Sequence, residues 1–364
     1  MSSEEAEERR ETASLPAPGP AGSRTRGGGS LRASSREGFV IAAVATVGLL
    51  AVPWLGPSYR FLSVAISTEI AAITLYGLSI LFGQGGLLSL AHAGLMGVGG
   101  YTAAILAGRL GLGFWPAIPL AMTVTAVVAG ILGLSSLRAA GHHFIIITFA
   151  FGSLFSIFLT NGGSFTGAAT GLDVGPVGPI LGVKLSKIHN YYLLVTAILL
   201  VSILVTHLVS VSAYGRTLRS IRENEALARA IGISTGFHKV AAFMVSGLFA
   251  GLAGVLQAYF LQHISPGLYG GFASVYLALM VMIGGPRLLY GPLGGAIIVN
   301  FLPEILNLDP IDARIAYGAG LIAAIMLLPA GVIAGLIDIY RWAVSRMVRR
   351  SRPVTKSAVA SGRD

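Results

Sequence analysis

AYGRTLRSIRENEALARAIGISTGFHK, residues 213–239, is a charged segment set between two long uncharged stretches, and we call it the charged island. The flanking stretches 188–215 and 240–286 contain no Asp, Glu, Lys or Arg. A polar segment between two such apolar stretches is typical of an intracellular loop between membrane spans. The charged residues of the island are Arg216, Arg219, Arg222, Arg229, Lys239, Glu223 and Glu225.

The composition of the whole chain agrees with a membrane protein. Of its 364 residues 54% are hydrophobic and 11% are charged, and the runs 70–108, 110–137 and 139–172 contain no charged side chain. About 20 apolar residues suffice to cross a bilayer. Consecutive runs of this length exclude a soluble domain, and they exclude a membrane β-barrel, whose strands alternate in polarity over about ten residues. The sequence therefore predicts an all-α, polytopic integral membrane protein.

The formal charge of +10 is concentrated at the two ends of the chain and in short loops. This placement follows the positive-inside rule, so we expect both termini to be cytoplasmic. Residues 1–37 lack apolar periodicity and predict a disordered tail, or alternatively a regulatory or lipid-contacting segment. Residues 38–340 form the predicted membrane domain, and residues 341–364 form a basic tail. There is no cysteine, which excludes a disulfide framework and a thiol nucleophile.

Ten membrane spans fit both the hydropathy and the charge rule. The pair 273–285 and 290–306 is short, so it is either two spans or a re-entrant hairpin. With a cytoplasmic start, this count places the charged island and Arg287 inside, and it places 161–190 and the acidic segment 304–312 outside. The predicted spans are 38–56, 61–82, 86–108, 112–137, 143–160, 191–211, 237–262, 273–285, 290–306 and 313–338.

The charged island has the pattern of an amphipathic helix. Leu218, Ile221, Ala228 and Ile231 recur at helical spacing, and Glu225 with Arg229 forms a favourable i,i+4 pair. The helix is expected to stop near Gly232, a residue suited to a helix C-terminus. The alternative is a solvated loop without a fixed apolar side.

Sequence motifs for catalysis are missing. The chain has no G-x-x-x-x-G-K-[ST] phosphate loop, no H-E-x-x-H and no G-x-S-x-G, so neither ATP hydrolysis nor a membrane-embedded enzyme is expected of it. Glu69 is the one ionisable group well inside a predicted span. It either faces a substrate path or a partner, or is a hydrogen-bonded structural group. A proton- or sodium-coupled secondary transporter remains the alternative, with Glu69 as its one relay group.

The stretch 83–100 combines several glycines with Gln84, Ser89 and His92 at a depth where polar groups are costly. Broken helices within a membrane are tolerated where they line a cavity or are buried in protein. We therefore predict that Gln84, Ser89, His92 and Gly94 line a substrate path, together with Glu69. The competing interpretation is that their polar groups only bond to a neighbouring helix.

Several segments resemble the M-type permease subunit of branched-chain amino acid ABC importers. They are GRTLRSIRENEALARAIGI (215–233), AAFMVSGLFAGLAGVLQA (241–258), ISPGLYGGFASVYLALMVMIGGPRLLYGPLGGA (264–296), GQGGLLSLAHAGLMGVGGYTAAIL (83–106) and HFIIITFAFGSL (143–154). The resemblance covers roughly residues 38–340. It implies that the charged island is a coupling helix that docks on an ATPase. The residues that take this role are Gly215, Arg216, Arg219, Arg222, Glu223, Asn224 and Glu225.

The same resemblance implies the partners and the location. A homologous second permease, two ATP-binding cassette subunits and an extracytoplasmic binding protein would complete an importer in the bacterial cell membrane. ATP would be bound by the separate ATPase chains, and this chain would need no cofactor or metal. Related permeases serve leucine-like amino acids, whereas others carry amides, urea or aromatic acids. The implied substrate is a branched-chain amino acid or a related small zwitterion or amide.

Overall fold

Helices dominate the structure, a computed structural model that describes residues 58–136, 142–178 and 187–306 together with positions 315 and 319. The predicted span 38–56, both predicted tails and nearly all of the span 313–338 lie outside these residues. Within them the all-α prediction is confirmed. The α-helices are α1 (Tyr59–Ser79), α2 (His92–Leu110), α3 (Phe114–Ser136), α4 (His142–Asn161), α5 (Ile188–Val211), α6 (Ala213–Glu223), α7 (Glu225–Ala230), α8 (Thr235–Leu261), α9 (Gly271–Gly284) and α10 (Gly291–Leu306).

Short irregular elements connect these helices. A π-helical turn, Ile80–Gln84, extends α1, and 3-10 turns cover Gly163–Phe165 and Pro266–Tyr269. A two-stranded antiparallel sheet pairs β1 (Leu172–Asp173) with β2 (His263–Ile264), so that Leu172 faces Ile264 and Asp173 faces His263.

Five of the described helical segments are long and apolar enough to cross a membrane. They are Tyr59–Gln84, Phe114–Ser135, His143–Asn161, Ile188–Val211 and Thr235–Leu261. The two helices of the pair predicted at 273–285 and 290–306 are shorter, with 14 and 16 residues. At a rise of 1.5 Å per residue, neither spans a hydrocarbon core of about 30 Å without local thinning of the bilayer.

The core of the described residues is built around α8, which packs against α1, α2 and α3. Small residues allow this close approach. A Cβ added at Gly251 would lie 2.8 Å from the hydroxyl of Thr125, and a Cβ added at Gly99 would lie 2.6 Å from the Cα of Gly251. Since packing replaces hydrophobic burial as the attraction between helices in lipid, these glycines hold the bundle together.

The contacts between connecting segments show which of them lie at the same end of the bundle. At the end with the charged island, the Pro286 carbonyl lies against Gly83. At the opposite end Arg60 forms an ion pair with Glu304 (2.6 Å), and the sheet joins the segment after α4 to the segment after α8. This grouping agrees with the one that the ten-span count predicts for these loops.

Three sequence-based details are wrong. The helix predicted across the charged island is broken at Asn224, because this residue is extended (φ −156°, ψ 101°) and its side chain caps a new helix. Ile231, predicted on the apolar side, is 69% exposed. In addition, the span predicted to begin at residue 86 becomes helical only at His92.

Candidate functional site

The charged island folds as a helical hairpin of α6 and α7. The Ser212 hydroxyl accepts a hydrogen bond from the Gly215 amide and begins α6, and the Asn224 side chain accepts one from the Leu227 amide and begins α7. Such caps satisfy amide groups that a helix end leaves without partners. Beyond α7, Gly232 has φ +86°, a left-handed conformation that favours glycine, so the predicted stop near this residue is confirmed.

The hairpin has a buried face and an exposed apolar face. Leu218, Ile221 and Ala228 are buried, as predicted. Leu227 (59% exposed) and Ile231 (69% exposed) lie one helical turn apart on the other side. Phe237, in the first turn of α8, is 71% exposed. The sequence analysis missed this second face, because helical periodicity alone does not tell which apolar residues meet the bundle.

Arg219 ties the hairpin to the membrane domain. Its Nη1 donates to the side-chain oxygen of Gln84 (2.7 Å) and to the carbonyl of Ser210 (2.9 Å). The Gln84 amide in turn donates to the Ser210 hydroxyl (3.2 Å). Because Gln84 ends the π-helical turn and Ser210 lies near the end of α5, the guanidinium joins three elements. We call these three residues the junction.

Arg222 makes a second connection beside the junction. Its guanidinium donates to the carbonyl of Gly83, and its aliphatic stem packs where a side chain on Gly86 would stand. Gly86 has φ +74°. Partial burial and the nearby charge of Arg287 lower the pKa of Arg222. The hairpin thus contacts the start of the segment that leads from α1 to α2.

Glu225 holds the far side of the hairpin. It accepts hydrogen bonds from Arg229 (2.7 Å) and Lys239 (2.7 Å) and from the Thr235 hydroxyl (3.1 Å). Partial burial alone would raise the pKa of this carboxyl, but the bonds from Lys239 and Arg229 outweigh it and lower the pKa below its ordinary value of 4.5. Glu225 therefore fastens α7 to the first turn of α8.

The remaining predicted coupling residues differ in exposure. Gly215 is buried, and an added Cβ would lie 2.9 Å from the carbonyl oxygen of Ser210. Arg216, Glu223 and Asn224 are exposed, and Arg216 donates to the Val211 carbonyl (2.9 Å). Of the predicted set, Arg219, Arg222 and Glu225 are partly buried against the rest of the chain, whereas the exposed Arg216, Glu223 and Asn224 leave surface for another molecule.

The broken stretch begins where the hairpin is attached. After the π-helical turn, residues 86–91 are not helical, and α2 starts at His92. Neighbouring helices supply hydroxyl groups to the free amides: Thr148 on α4 accepts from Leu90 (3.0 Å), and Ser274 on α9 accepts from Ala93 (3.1 Å). The backbone is thus irregular at membrane depth but satisfied by protein groups.

His92 and Ser89 lie inside this protein environment. The Nε2 atom of His92 is 2.6 Å from the hydroxyl of Ser246, near the middle of α8, and the Ser89 hydroxyl accepts from the amide of Ala91 (3.2 Å). Both side chains are buried. The Nδ1 atom of His92 has no hydrogen-bond partner in the described part of the chain.

Gly94 and Glu69 also meet neighbouring helices. A Cβ on Gly94 would lie 3.1 Å from the Phe151 ring and 3.2 Å from the Cα of Gly152 on α4. The Glu69 carboxylate accepts hydrogen bonds from the Thr196 hydroxyl on α5 (2.9 and 3.1 Å) and is 2% exposed. The structure does not bring Glu69 together with the broken stretch.

A cavity of about 210 Å³ lies between α1, α2, α8, α9 and α10. None of the five predicted pathway residues lines it, but Ala93 and Met96 from the first turns of α2 do. Its other walls are mostly apolar. The polar side chains in its lining are those of Ser67, Gln257, Tyr269, Tyr276 and Asn300. Sequence reasoning missed Gln257 and Asn300, since a single amide in an apolar span carries no motif.

The family model described as "Branched-chain amino acid transport system / permease component" matches residues 60–330. The high-affinity branched-chain amino acid transport system permease proteins LivM of Salmonella typhimurium and Escherichia coli K12 are each 27% identical over 283 residues, which cover 71% of this chain and 67% of theirs.

A more distant similarity involves a sugar permease. The ribose import permease protein RbsC of Escherichia coli K12 is 30% identical over 124 residues, which cover 33% of this chain and 38% of its own. No solved structure matches the chain. With a family match over most of its length and five candidate membrane helices among its described residues, the chain is a multi-pass transport subunit. It belongs to the family of permease components of branched-chain amino acid transport systems.

Proposed function

We propose that this chain is the M-type permease subunit of an ATP-driven importer that moves neutral aliphatic amino acids, such as leucine, into the cell. The observation that carries the proposal is the family match over residues 60–330, which includes the hairpin, the broken stretch and the cavity. The relatives named for branched-chain amino acids support the substrate class.

The hairpin supplies the contact with the ATPase in this proposal. Leu227 and Ile231 of α7 and Phe237 in the first turn of α8 are exposed apolar side chains, and the charged Arg216 and Glu223 of the hairpin are exposed as well. Exposed large apolar side chains clustered on a polar element mark interaction sites. Apolar anchors with a charged rim are the features of a specific protein interface. Docking through these residues leaves Arg219, Arg222 and Glu225 free to fasten the hairpin to the bundle.

The remaining parts of the importer are also proposals. A homologous permease would complete the translocation path, two ATPase subunits would bind the hairpins and hydrolyse ATP, and a binding protein would deliver the substrate from outside. The hairpin, Arg287 and both termini would face the cytoplasm. The basic residues near the termini support this orientation. This chain itself would hold no ATPase site, no metal and no cofactor.

Coexpression and reconstitution test the proposal. The chain is purified from membranes with the products of neighbouring transport genes, and radiolabelled leucine uptake into proteoliposomes is measured with ATP supplied on the hairpin side. We expect ATPase chains to copurify and uptake to require ATP. Uptake driven by a proton or sodium gradient without ATP would instead support the secondary transporter, in which Glu69 would be the relay. The hydrogen bonds that Glu69 accepts from the Thr196 hydroxyl give this carboxylate a structural role that needs no relay function.

A further inference from the structure

The cavity between α1, α2, α8, α9 and α10 contains two amide side chains with unused hydrogen-bonding capacity. Neither Gln257 on α8 nor Asn300 on α10 has a hydrogen-bond partner among the described residues, although both are only partly exposed. A polar group within the membrane-spanning part of a protein is unfavourable when it has no hydrogen-bonding partner. Because both amides remain partly exposed in the cavity, their donors and acceptors are available to a polar occupant.

The other lining residues and the volume of the cavity indicate the polarity and size of the molecule that fits. Ile70, Met96, Phe260 and Leu277 are apolar, and among the residues that the structure describes no charged side chain lines the cavity. An apolar wall with a few convergent polar groups is typical of a small-molecule site. The volume of about 210 Å³ exceeds the roughly 150 Å³ that accommodates benzene in an engineered cavity. There is room for one aliphatic side chain with its amino and carboxyl groups.

Amide side chains suit a zwitterion. The NH₂ group of Asn or Gln donates to a carboxylate, and the carbonyl oxygen accepts from an ammonium group. A substrate with an additional charge on its side chain would leave that charge without a partner in a poorly solvated site, which is strongly unfavourable. The lining therefore favours neutral aliphatic amino acids over lysine or glutamate.

The position of the cavity links it to the broken helix. Ala93, which lines the cavity, donates its backbone amide to Ser274 on α9 at the point where α2 begins. The lining also includes Leu261, the last residue of α8, at the end of the bundle opposite the hairpin. A molecule arriving from that end meets the cavity before it reaches the junction.

We propose that this cavity is a binding site for one neutral aliphatic amino acid within the single subunit, held by the amides of Gln257 and Asn300. The proposal rests on the proposed function, because it assigns the substrate of that importer to a place in this chain. The site receives the substrate on its way from the binding protein to the path between the two permeases.

Substrate protection of an introduced thiol tests the site. The native chain has no cysteine, so Ala273→Cys places a single thiol in the lining. The assembled complex in membrane vesicles is treated with a small methanethiosulfonate reagent, and the modified fraction of this chain is read by mass spectrometry. Leucine at ten times its Kd is expected to slow the reaction about tenfold, because it occupies the cavity in most molecules. Lysine and glutamate are expected to leave the rate unchanged.

Matched variants distinguish protection at the cavity from general effects of reagent access or of substitution. Ala150→Cys, on α4 outside the lining, controls for reagent access, and leucine should not protect it. Gln257→Leu and Asn300→Leu, each made in the Ala273→Cys background, should shift the leucine concentration for half protection upward by about tenfold or more. Asn161→Leu, an exposed amide on α4, is the control and should shift nothing.

The outcomes distinguish this proposal from the proposed function. Leucine import by the native complex without protection of Ala273→Cys would overturn the binding site and leave the importer intact. Protection without ATP-driven import would overturn the importer and leave the site intact. Equal protection by leucine, lysine and glutamate, or protection unaffected by both amide variants, would show that the amides do not hold the amino acid.

Discussion

At the scale of single residues, the junction explains how the hairpin can act on the membrane domain. The Gln84 side chain sits between the Arg219 guanidinium and the Ser210 hydroxyl, so that α1, α5 and α6 meet in one set of hydrogen bonds. Hydrogen bonds to charged groups contribute about 1.5–3 kcal/mol, more than bonds between neutral groups. The junction is therefore suited to transmit a displacement of the hairpin.

Substitution of Gln84 tests this role. Gln84→Met keeps the length of the side chain but removes the acceptor for Arg219, so we expect fewer leucine molecules imported for each ATP hydrolysed. Gln84→Glu retains the acceptor and adds a charge that Arg219 compensates, so it is expected to preserve the ratio better. The measurement is uptake against ATP hydrolysis in proteoliposomes. Equal ratios for the native and Gln84→Met complexes would contradict the role of the junction.

Gly94 provides the second residue-scale prediction. A side chain on Gly94 would enter the contact between α2 and the Phe151 ring of α4. The contacts of 3.1 Å with the Phe151 ring and 3.2 Å with the Cα of Gly152 are tight but not below 3.0 Å, so Gly94→Ala should be tolerated with a small loss of stability. Gly94→Leu should push the helices apart and lower the amount of assembled complex. Size-exclusion chromatography of the detergent-solubilised complex measures this.

The alternative for Gly94 is the substrate-path role predicted from the sequence. In that case Gly94→Leu would leave assembly and basal ATP hydrolysis unchanged and abolish uptake. The two accounts thus differ in the chromatogram as well as in transport. Unchanged assembly together with unchanged uptake would argue against both accounts of this glycine.

At the scale of elements, the division of the charged island into two helices matters most. The extended backbone of Asn224 ends α6 and begins α7, on which Leu227 and Ile231 are exposed while Ala228 is buried. Glu225 then fixes this orientation through Lys239 and Arg229.

Charge placed on the exposed face of α7 tests its role. Leu227→Asp with Ile231→Asp should abolish copurification of the ATPase without lowering the amount of this chain in the membrane, because neither residue packs in the bundle. The control is Leu110→Asp, which alters a leucine of similar exposure (66%) at the opposite end. Retention of the ATPase by the double variant would show that α7 is not the docking surface.

At the scale of the whole molecule, the two ends of the bundle are defined by contacts that the charge rule does not use. The sheet and the Arg60–Glu304 pair mark one end, and the hairpin with Pro286 marks the other. These contacts place segment 161–190 and the charged island at opposite ends of the bundle. This placement agrees with an odd number of membrane crossings between them.

Thiol labelling tests the orientation. Gly175→Cys alters an exposed glycine with no atom near its Cβ position, and Ser220→Cys alters an exposed serine of α6. An impermeant maleimide should label Gly175→Cys in intact cells and Ser220→Cys only after permeabilisation. The absence of native cysteine keeps this chain's background clean. The opposite labelling pattern would reverse the orientation.

The sequence by itself determined the all-α membrane class, because long charge-free runs have no other favourable environment than lipid. It also located the charged island, the ion pair of Glu225 with Arg229 and the helix stop near Gly232, since each depends on residues close together in the chain. Its resemblance to a permease family was confirmed by the match over residues 60–330.

The tertiary structure alone decided which polar groups meet. Gln84 and Arg219 are 135 positions apart, and His92 and Ser246 are 154 apart, so no local pattern relates them. The cavity likewise depends on five helices from distant parts of the chain, and its two unpaired amides look unremarkable in sequence. Local periodicity gives the faces of a helix, but only packing between helices decides which face is buried, which is exposed and where space is left.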